Sequence, residues 1–185
     1  AAAVTGGRVE IGPLSSASHQ GDRVVQEIER EAGVGVVDSD FGIVVQGPLT
    51  RPMRANLEQA PDAFPALAAV AASGPSGSRF EGLAHLKHKE SDRLTVMVDN
   101  LTRLGAEIGF TESSAHVHRG VVGRSGAPRP VRAAADHRVA MAMAVTALVA
   151  GPLLLDDPSC VSKSFPDFWS VWQEMLRPAD SGCDE

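Results

Sequence analysis

Cysteine is scarce: Cys160 and Cys183 are the only two in 185 residues, and Cys183 lies in the polar tail RPADSGCDE. Neither a disulfide framework nor a zinc pattern follows from such a pair. An excess of positive charge is absent too. Seventeen lysines and arginines stand against 23 acids, a formal charge of -6, which excludes a sequence-independent grip on nucleic acid. A membrane-length apolar run is also missing. The longest candidate, Val139 to Leu155, is broken by Gly151-Pro152 and directly follows Asp136-His137-Arg138, so it reads as a buried helix and then a strand. No signal peptide is visible, and a cytoplasmic location is expected. The chain opens at AAAVTGG without a methionine, so a segment ahead of Ala1 in a longer protein is expected. What remains is ordinary globular material, 43% hydrophobic and 22% charged, enough to build a real core.

The chain repeats itself. RVEIGPLSSASHQGDRVVQEIEREAGVGVV and RFEGLAHLKHKESDRLTVMVDNLTRLGAEI share one order: a short strand, a polar loop, Asp-Arg opening an amphipathic helix, then glycine before a second strand. Asp22-Arg23 corresponds to Asp92-Arg93, and Gly33 to Gly105. Further on, APDAFPALAAVAAS matches AADHRVAMAMAVTALVA, with Asp62 and Asp136 each at the start of an alanine-rich helix as an N-cap or first-turn acid. The spacing, roughly 70 residues, suits a small layered α/β unit. A third copy begins at PLLLDDPSCVSKSFPDFW and stops after its first helix. The expected units are 1–75, 76–150 and a partial 151–176, followed by a polar tail at 177–185. Because the alanine-rich helices are apolar all round, they are expected at the centre, with the amphipathic helices outside and sheets between.

Three loops carry charge at equivalent ends of these units. In HLKHKESDRL, Glu90 and Arg93 are spaced i, i+3 for a surface ion pair and Ser91 is placed to cap a helix. His137 and Arg138 occupy the first turn of a helix, where a cation opposes the macrodipole and a bound anion or neighbouring acid would offset it. Lys163 lies between two serines ahead of Phe165-Pro166, with Pro166 at a first helical position. Taken alone, the Glu90 and Lys163 loops read better as solvated surface, and the His137-Arg138 loop reads equally as a salt bridge to a neighbouring acid. Together, the repeat brings them to one place, so Lys89, Arg93, Arg138 and Lys163 should converge with Glu90, Asp62 and His137 among them. Four cations gathered in that way suit a small phosphorylated carboxylic acid, and the acids among them suit proton transfer. Other features are weaker. His116 and His118 alternate on a strand without a carboxylate pattern for a metal, GPSGS at 74–78 lacks the lysine of a Walker loop, and Trp169 and Trp172 form a packing face.

In this order and spacing, GLAHLKHKESDRL, ADHRVAMAMAV and DDPSCVSKSFPDF resemble the C-terminal half of the 5-enolpyruvylshikimate-3-phosphate synthase (EPSP synthase) family, and QGDR at 20–23 and APDAFPALA at 60–68 fit the same family. The resemblance runs from Ala1 to about Leu176. It implies an inside-out α/β barrel lobe of repeated βαβαββ units with buried helices, its third unit incomplete and completed by a segment from elsewhere in the protein. It also implies transfer of the enolpyruvyl group of phosphoenolpyruvate to the 5-hydroxyl of shikimate 3-phosphate, with release of phosphate, in a cleft shared with an N-terminal lobe.

Carried over by motif, Glu90 is expected as acid and base at C3, Asp62 as the group that takes the hydroxyl proton, and Lys89 as the residue that holds that hydroxyl. Arg93 and Arg138 are expected on the phosphoenolpyruvate carboxylate, Lys163 on its phosphate, and His137 at the border of the reacting centre. No metal, organic cofactor, nucleic acid or membrane is implied. Two departures stand out: Ala133 to Ala135 where the family more often has threonine and tyrosine, and His85 where asparagine is frequent. They leave open an enolpyruvyl transferase with another acceptor, or an inert or phosphate-binding half-paralogue.

Overall fold

A computed structural model describes residues 1–13 and 24–177. In chain order these form α1 (Ala2–Thr5), β1 (Arg8–Ile11), α2 (Val24–Glu31), β2 (Gly35–Asp38), β3 (Ile43–Gln46), β4 (Arg54–Asn56), α3 (Phe64–Ala72), β5 (Ser78–Glu81), α4 (Arg93–Arg103), β6 (Glu107–Phe110), β7 (Ala115–Arg119), β8 (Arg129–Val131), α5 (His137–Ala150), β9 (Leu153–Leu155) and α6 (Phe168–Met175). The Asp22-Arg23 half of the repeat and Cys183 lie outside the described residues.

Alanine content decides where the helices sit. Eight of the nine residues of α3 are buried, and α5 is a run of Ala, Met and Val that packs along it. Small side chains let the two backbones come close, while the absence of a polar face removes any reason to meet water. Helix α4 follows the amphipathic pattern, burying Leu94, Met97, Val98 and Leu101 and exposing Asp99, Thr102 and Arg103. It rests directly on α3, with no sheet between them, which corrects the expected layering: its apolar stripe is served by the central helix itself.

The strands flank this helical centre. One sheet has the order β1-β3-β2, all antiparallel neighbours; a second has β4-β5-β7-β6, with β4 parallel to β5 and the other pairs antiparallel; β8 and β9 form a parallel pair. Inward residues such as Phe80 and Val117 are buried, and the alternate positions Arg79, Glu81 and His118 face outward.

The sheets divide the chain at other points than the sequence repeat. Strands β4 and β5 pair in register, Arg54 with Arg79, so the expected boundary at 75 and 76 falls inside one sheet. Among the described residues, a full βαβαββ unit is β4-α3-β5-α4-β6-β7. Ahead of it, β1-α2-β2-β3 has the pairing of the last four elements of such a unit, and β8-α5-β9-α6 has the order of its first four. Two complete units and a third part are expected; among the described residues one complete unit is flanked by two four-element parts. A sequence repeat fixes the period of a pattern but not its phase, because either strand bordering α3 can be taken as a beginning.

Helix ends are closed by specific groups. Gly151, at φ 92, ends α5 in a conformation that side-chain-bearing residues rarely adopt, and its N–H donates to Ala147 O at 3.0 Å. Arg129 reaches the same region: Nη1 donates to Leu104 O at the end of α4, and Nη2 donates to Val122 O and to Ala150 O at the end of α5. One guanidinium thus joins the backbone amides of Val122 and Arg124 on carbonyls that end two helices and have no partner along their own axes. Because Leu104 O and Ala150 O also accept from Val122 N and Arg124 N, Arg129→Met removes a second donor from each and should lower stability by about 1 kcal/mol, as read by denaturant unfolding. An unchanged midpoint would mean that water replaces the side chain.

Candidate active site

The Arg93 side chain is 1% exposed, yet each of its three nitrogens meets a carboxylate. Its Nε donates to Asp136 Oδ2 at 2.6 Å, Nη1 to Asp62 Oδ1 at 2.7 Å and Nη2 to Glu90 Oε2 at 2.6 Å. Local structure places each partner. Asp92 caps α4, accepting from Thr95 N at 3.1 Å, which starts the helix one residue later and turns Arg93 inward. Asp136 is fully buried and caps α5, where Oδ1 accepts from Arg138 N at 3.0 Å while Oδ2 takes Arg93 and the Ser91 hydroxyl at 3.0 Å. Asp62 sits in the single 3-10 turn Pro61–Ala63 ahead of α3 and caps nothing.

Around this core lie the more open charges. Lys89 Nζ is 3.1 Å from Asp62 Oδ1, Lys163 Nζ donates to Glu90 Oε1 at 3.1 Å, and Arg138 donates from Nη1 to Asp62 O at 3.1 Å with Nη2 3.7 Å from Asp62 Oδ2. Three carboxylates face four cations, so one positive charge is in surplus. His137, at the first position of α5, is buried beside them, and its Nδ1 has no hydrogen-bond partner. An apolar-walled groove of about 1180 Å³ extends from this cluster between β1, α2 and α6, with Asp62 and Arg138 on its wall.

The sequence expectations meet this geometry unevenly. The three charged loops do converge, bringing Asp62, Lys89, Glu90, Arg93, Arg138 and Lys163 into one network. The Glu90–Arg93 pair forms, though with a buried rather than a surface arginine. Ser91 does not cap α4; Asp92 does, and the Ser91 hydroxyl turns to Asp136 instead because a buried carboxylate is the stronger acceptor. The sequence marks Asp136 as a helix-start acid, which it is, and gives no direct sign that it is also the buried counter-ion of Arg93. Its one sequence signal is the equivalence to Asp62 across the repeat.

Both exposed carboxyls are acidified. Hydrogen bonding to its own backbone N–H and to Lys163 outweighs desolvation, and with the fields of Arg93 and Lys163 it holds Glu90 down at about 2. At Asp62 desolvation pushes upward, but the Lys89 hydrogen bond and the charges of Arg138, Arg93 and Lys89 win, leaving it below the usual carboxylate range. In the free site Glu90 is therefore a carboxylate at neutral pH.

The chemistry, a cation-rich wall with an acid held at its centre, agrees with what is found by similarity. Residues 1–172 match the family model of EPSP synthase (3-phosphoshikimate 1-carboxyvinyltransferase). The chain belongs to the EPSP synthase family. The 3-phosphoshikimate 1-carboxyvinyltransferase of Methanoculleus marisnigri is 39% identical over 177 residues, covering 92% of this chain and 40% of that protein. Its counterpart in Methanoregula boonei is 37% identical, over 95% and 41%. A solved EPSP synthase of Acinetobacter baumannii superposes with a TM-score of 0.79 at 26% identity, over 94% of this chain and 43% of that one. The α/β fold with enclosed helices is thus that of EPSP synthases, and the chain spans about 40% of the length of the curated relatives it matches.

Two measurements test the network. Because both carboxyl groups have lowered folded values, their stabilising contribution is full above the ordinary values of 4.5 for Glu90 and 3.8 for Asp62, and it is lost as pH falls through the folded ones, about 2 for Glu90. Thermal midpoints should fall between about pH 4.5 and 2, and Glu90→Gln should flatten that slope; a flat wild-type profile would contradict it. Asp136→Ala, which removes the cap of α5 and the one fully buried partner of Arg93, should cost about 3 kcal/mol by denaturant unfolding, against under ~1 kcal/mol for the exposed Lys163→Ala.

Proposed function

We propose that the chain forms the C-terminal lobe, residues 1–176, of an EPSP synthase and supplies one wall of a site that joins phosphoenolpyruvate to shikimate 3-phosphate. The observation that carries this reading is Glu90 held between Arg93 and Lys163, with Asp62 between Lys89 and Arg138 beside it.

Phosphoenolpyruvate brings two anionic groups. Lys163 is 59% exposed and Arg138 36%, so they are the cations free to receive its phosphate and its carboxylate. Arg93 is already held by three carboxylates, and it takes part in the carboxylate clamp only by exchanging Glu90 for the substrate. Either exchange strips a cation from Glu90 and raises its pKa, so that it takes up a proton from solvent and can then donate it to carbon. The shikimate 5-oxygen then bonds to C2 as Glu90 protonates C3, and the hydroxyl proton passes to Asp62 with Lys89 holding the oxygen. Loss of the C3 proton back to Glu90 breaks the C2–O bond to phosphate and restores the double bond. His137 borders the reacting carbon, and no cofactor enters the scheme. The second wall of the cleft comes from the remainder of the longer protein.

The test is phosphate release from the two substrates. This chain alone should release none, and the complementary lobe in trans should restore turnover. Within that complex Glu90→Gln should lower phosphate release at least ~100-fold with substrate binding retained. Full activity of the isolated chain, or an unaffected Glu90→Gln complex, would overturn the reading; turnover with a different hydroxylated acceptor alone would move it to the other-acceptor alternative that Ala133 to Ala135 leave open.

A further inference from the structure

The outer face of the four-stranded sheet carries a second concentration of positive charge that the proposed reaction does not use. In this acidic chain, Arg54 on β4, Arg79 on β5 and His116 on β7 stand in one register row, and the residue that completes the row on β6 is Gly109. His118 joins them through two local devices. A bulge pairs Glu107 with Arg119 and Ile108 with Val117, which leaves His118 without a partner and frees its direction. Gly109 leaves space on the facing strand: a Cβ there would lie 3.0 Å from His118 Nε2. The His116 and His118 rings consequently lie 3.8 Å apart between centroids.

The row is not neutralised. Among the described residues neither Arg54 nor Arg79 has an ion-pair partner. Of the neighbouring acids, Glu107 is paired with Arg119 at 3.8 Å, and Glu81 lies one outward position along β5, beside Asn56. Desolvation, then the fields of His118, Arg79 and Arg54, lower the His116 pKa, as expected where like charges crowd. A metal ion on the two imidazoles would meet both guanidinium groups, and no group of three or more potential ligands exists among the described residues. An anion would meet four complementary groups.

We propose that Arg54, Arg79, His116 and His118 form a binding site for a small anion with two linked phosphoryl groups. Strand spacing sets the size: two steps across the sheet span about 10 Å, more than one tetrahedral anion covers and within reach of a diphosphate gripped by long arginine side chains. Binding of the anion favours the charged form of His116, so it draws a proton onto that ring.

The probe is pyrophosphate, read by the histidine ring-proton NMR titrations of the 185-residue chain, with His118→Asn used for assignment. Pyrophosphate should raise the His116 midpoint by about half a unit or more. Arg54→Gln with Arg79→Gln, both at exposed positions, should abolish that shift, and Lys163→Gln should leave it intact. Four results would overturn the proposal: an unmoved His116, a shift that survives loss of both arginines, a shift lost in Lys163→Gln, or a response to zinc without one to pyrophosphate. An equal shift from orthophosphate at the same concentration would overturn the two-phosphoryl assignment.

Discussion

One guanidinium holds the candidate site together. Arg93 begins α4, yet its three nitrogen atoms bind carboxylates from the turn before α3, the loop before α4 and the cap of α5. A buried cation is tolerable only when its charge and its N–H groups are matched, and each of these contacts is short and charge-assisted. Moving any one segment would therefore leave a charge unpaired in a water-poor place. Such a junction contributes less to net stability than to the choice of one arrangement over others, because forming it costs the desolvation of Arg93 and Asp136 and part of that of Asp62 and Glu90. Asp136 shows the economy of the design, since one carboxylate caps α5 and neutralises Arg93 at once. The Arg138 side chain, placed against the dipole of α5, is offset by Asp62 two segments away.

The same junction sets the chemistry available. A carboxylate gripped by arginine and lysine is a poor proton donor, and Glu90 at about 2 is an extreme case. On the proposed reading the grip is temporary: a substrate whose own carboxylate and phosphate compete for those cations converts a structural ion network into a catalytic one. Binding and activation are then a single event, and a site without substrate keeps its acid ionised. Preorganisation here means that the cations are already in position and only their partners change.

Much of this was legible in the chain, and the limits have physical reasons. Alanine-rich α3 and α5 could be read as central, because no face of either suits water. Convergence of the three charged loops followed from the repeat. The burial of Arg93 did not, since an Asp-Arg pair opening a helix is as common on a surface, and only the register of α4 against α3 decides which way the arginine turns. Asp136 was hidden behind its own capping role: a residue with one sufficient local reason gives no sequence sign of a second. The phase of the sheets was equally hidden, since strand pairing joins residues such as Arg54 and Arg79 across the whole of α3. Asp22-Arg23 and Cys183, also named from the sequence, lie outside the described residues.

Burial then sorts the site by depth. Arg93 and Asp136 at 1% and 0% exposure make every contact within the chain, so their geometry is settled by folding. Asp62, Glu90, Lys89 and Arg138 at about a third exposed, and Lys163 at 59%, keep part of their surface for something outside it. The apolar surface is graded in the same direction. Helix α6 buries none of its residues despite Phe168, Trp169, Val171, Trp172 and Met175, while α3 is almost wholly enclosed. Unspent apolar surface and half-open charges thus border the same groove, where Asp62 and Arg138 share a wall with Phe168 and Trp172. A site organised in that manner is rigid at its base and unsatisfied at its mouth, which is the arrangement required of one wall of a cleft whose water must be excluded by a second.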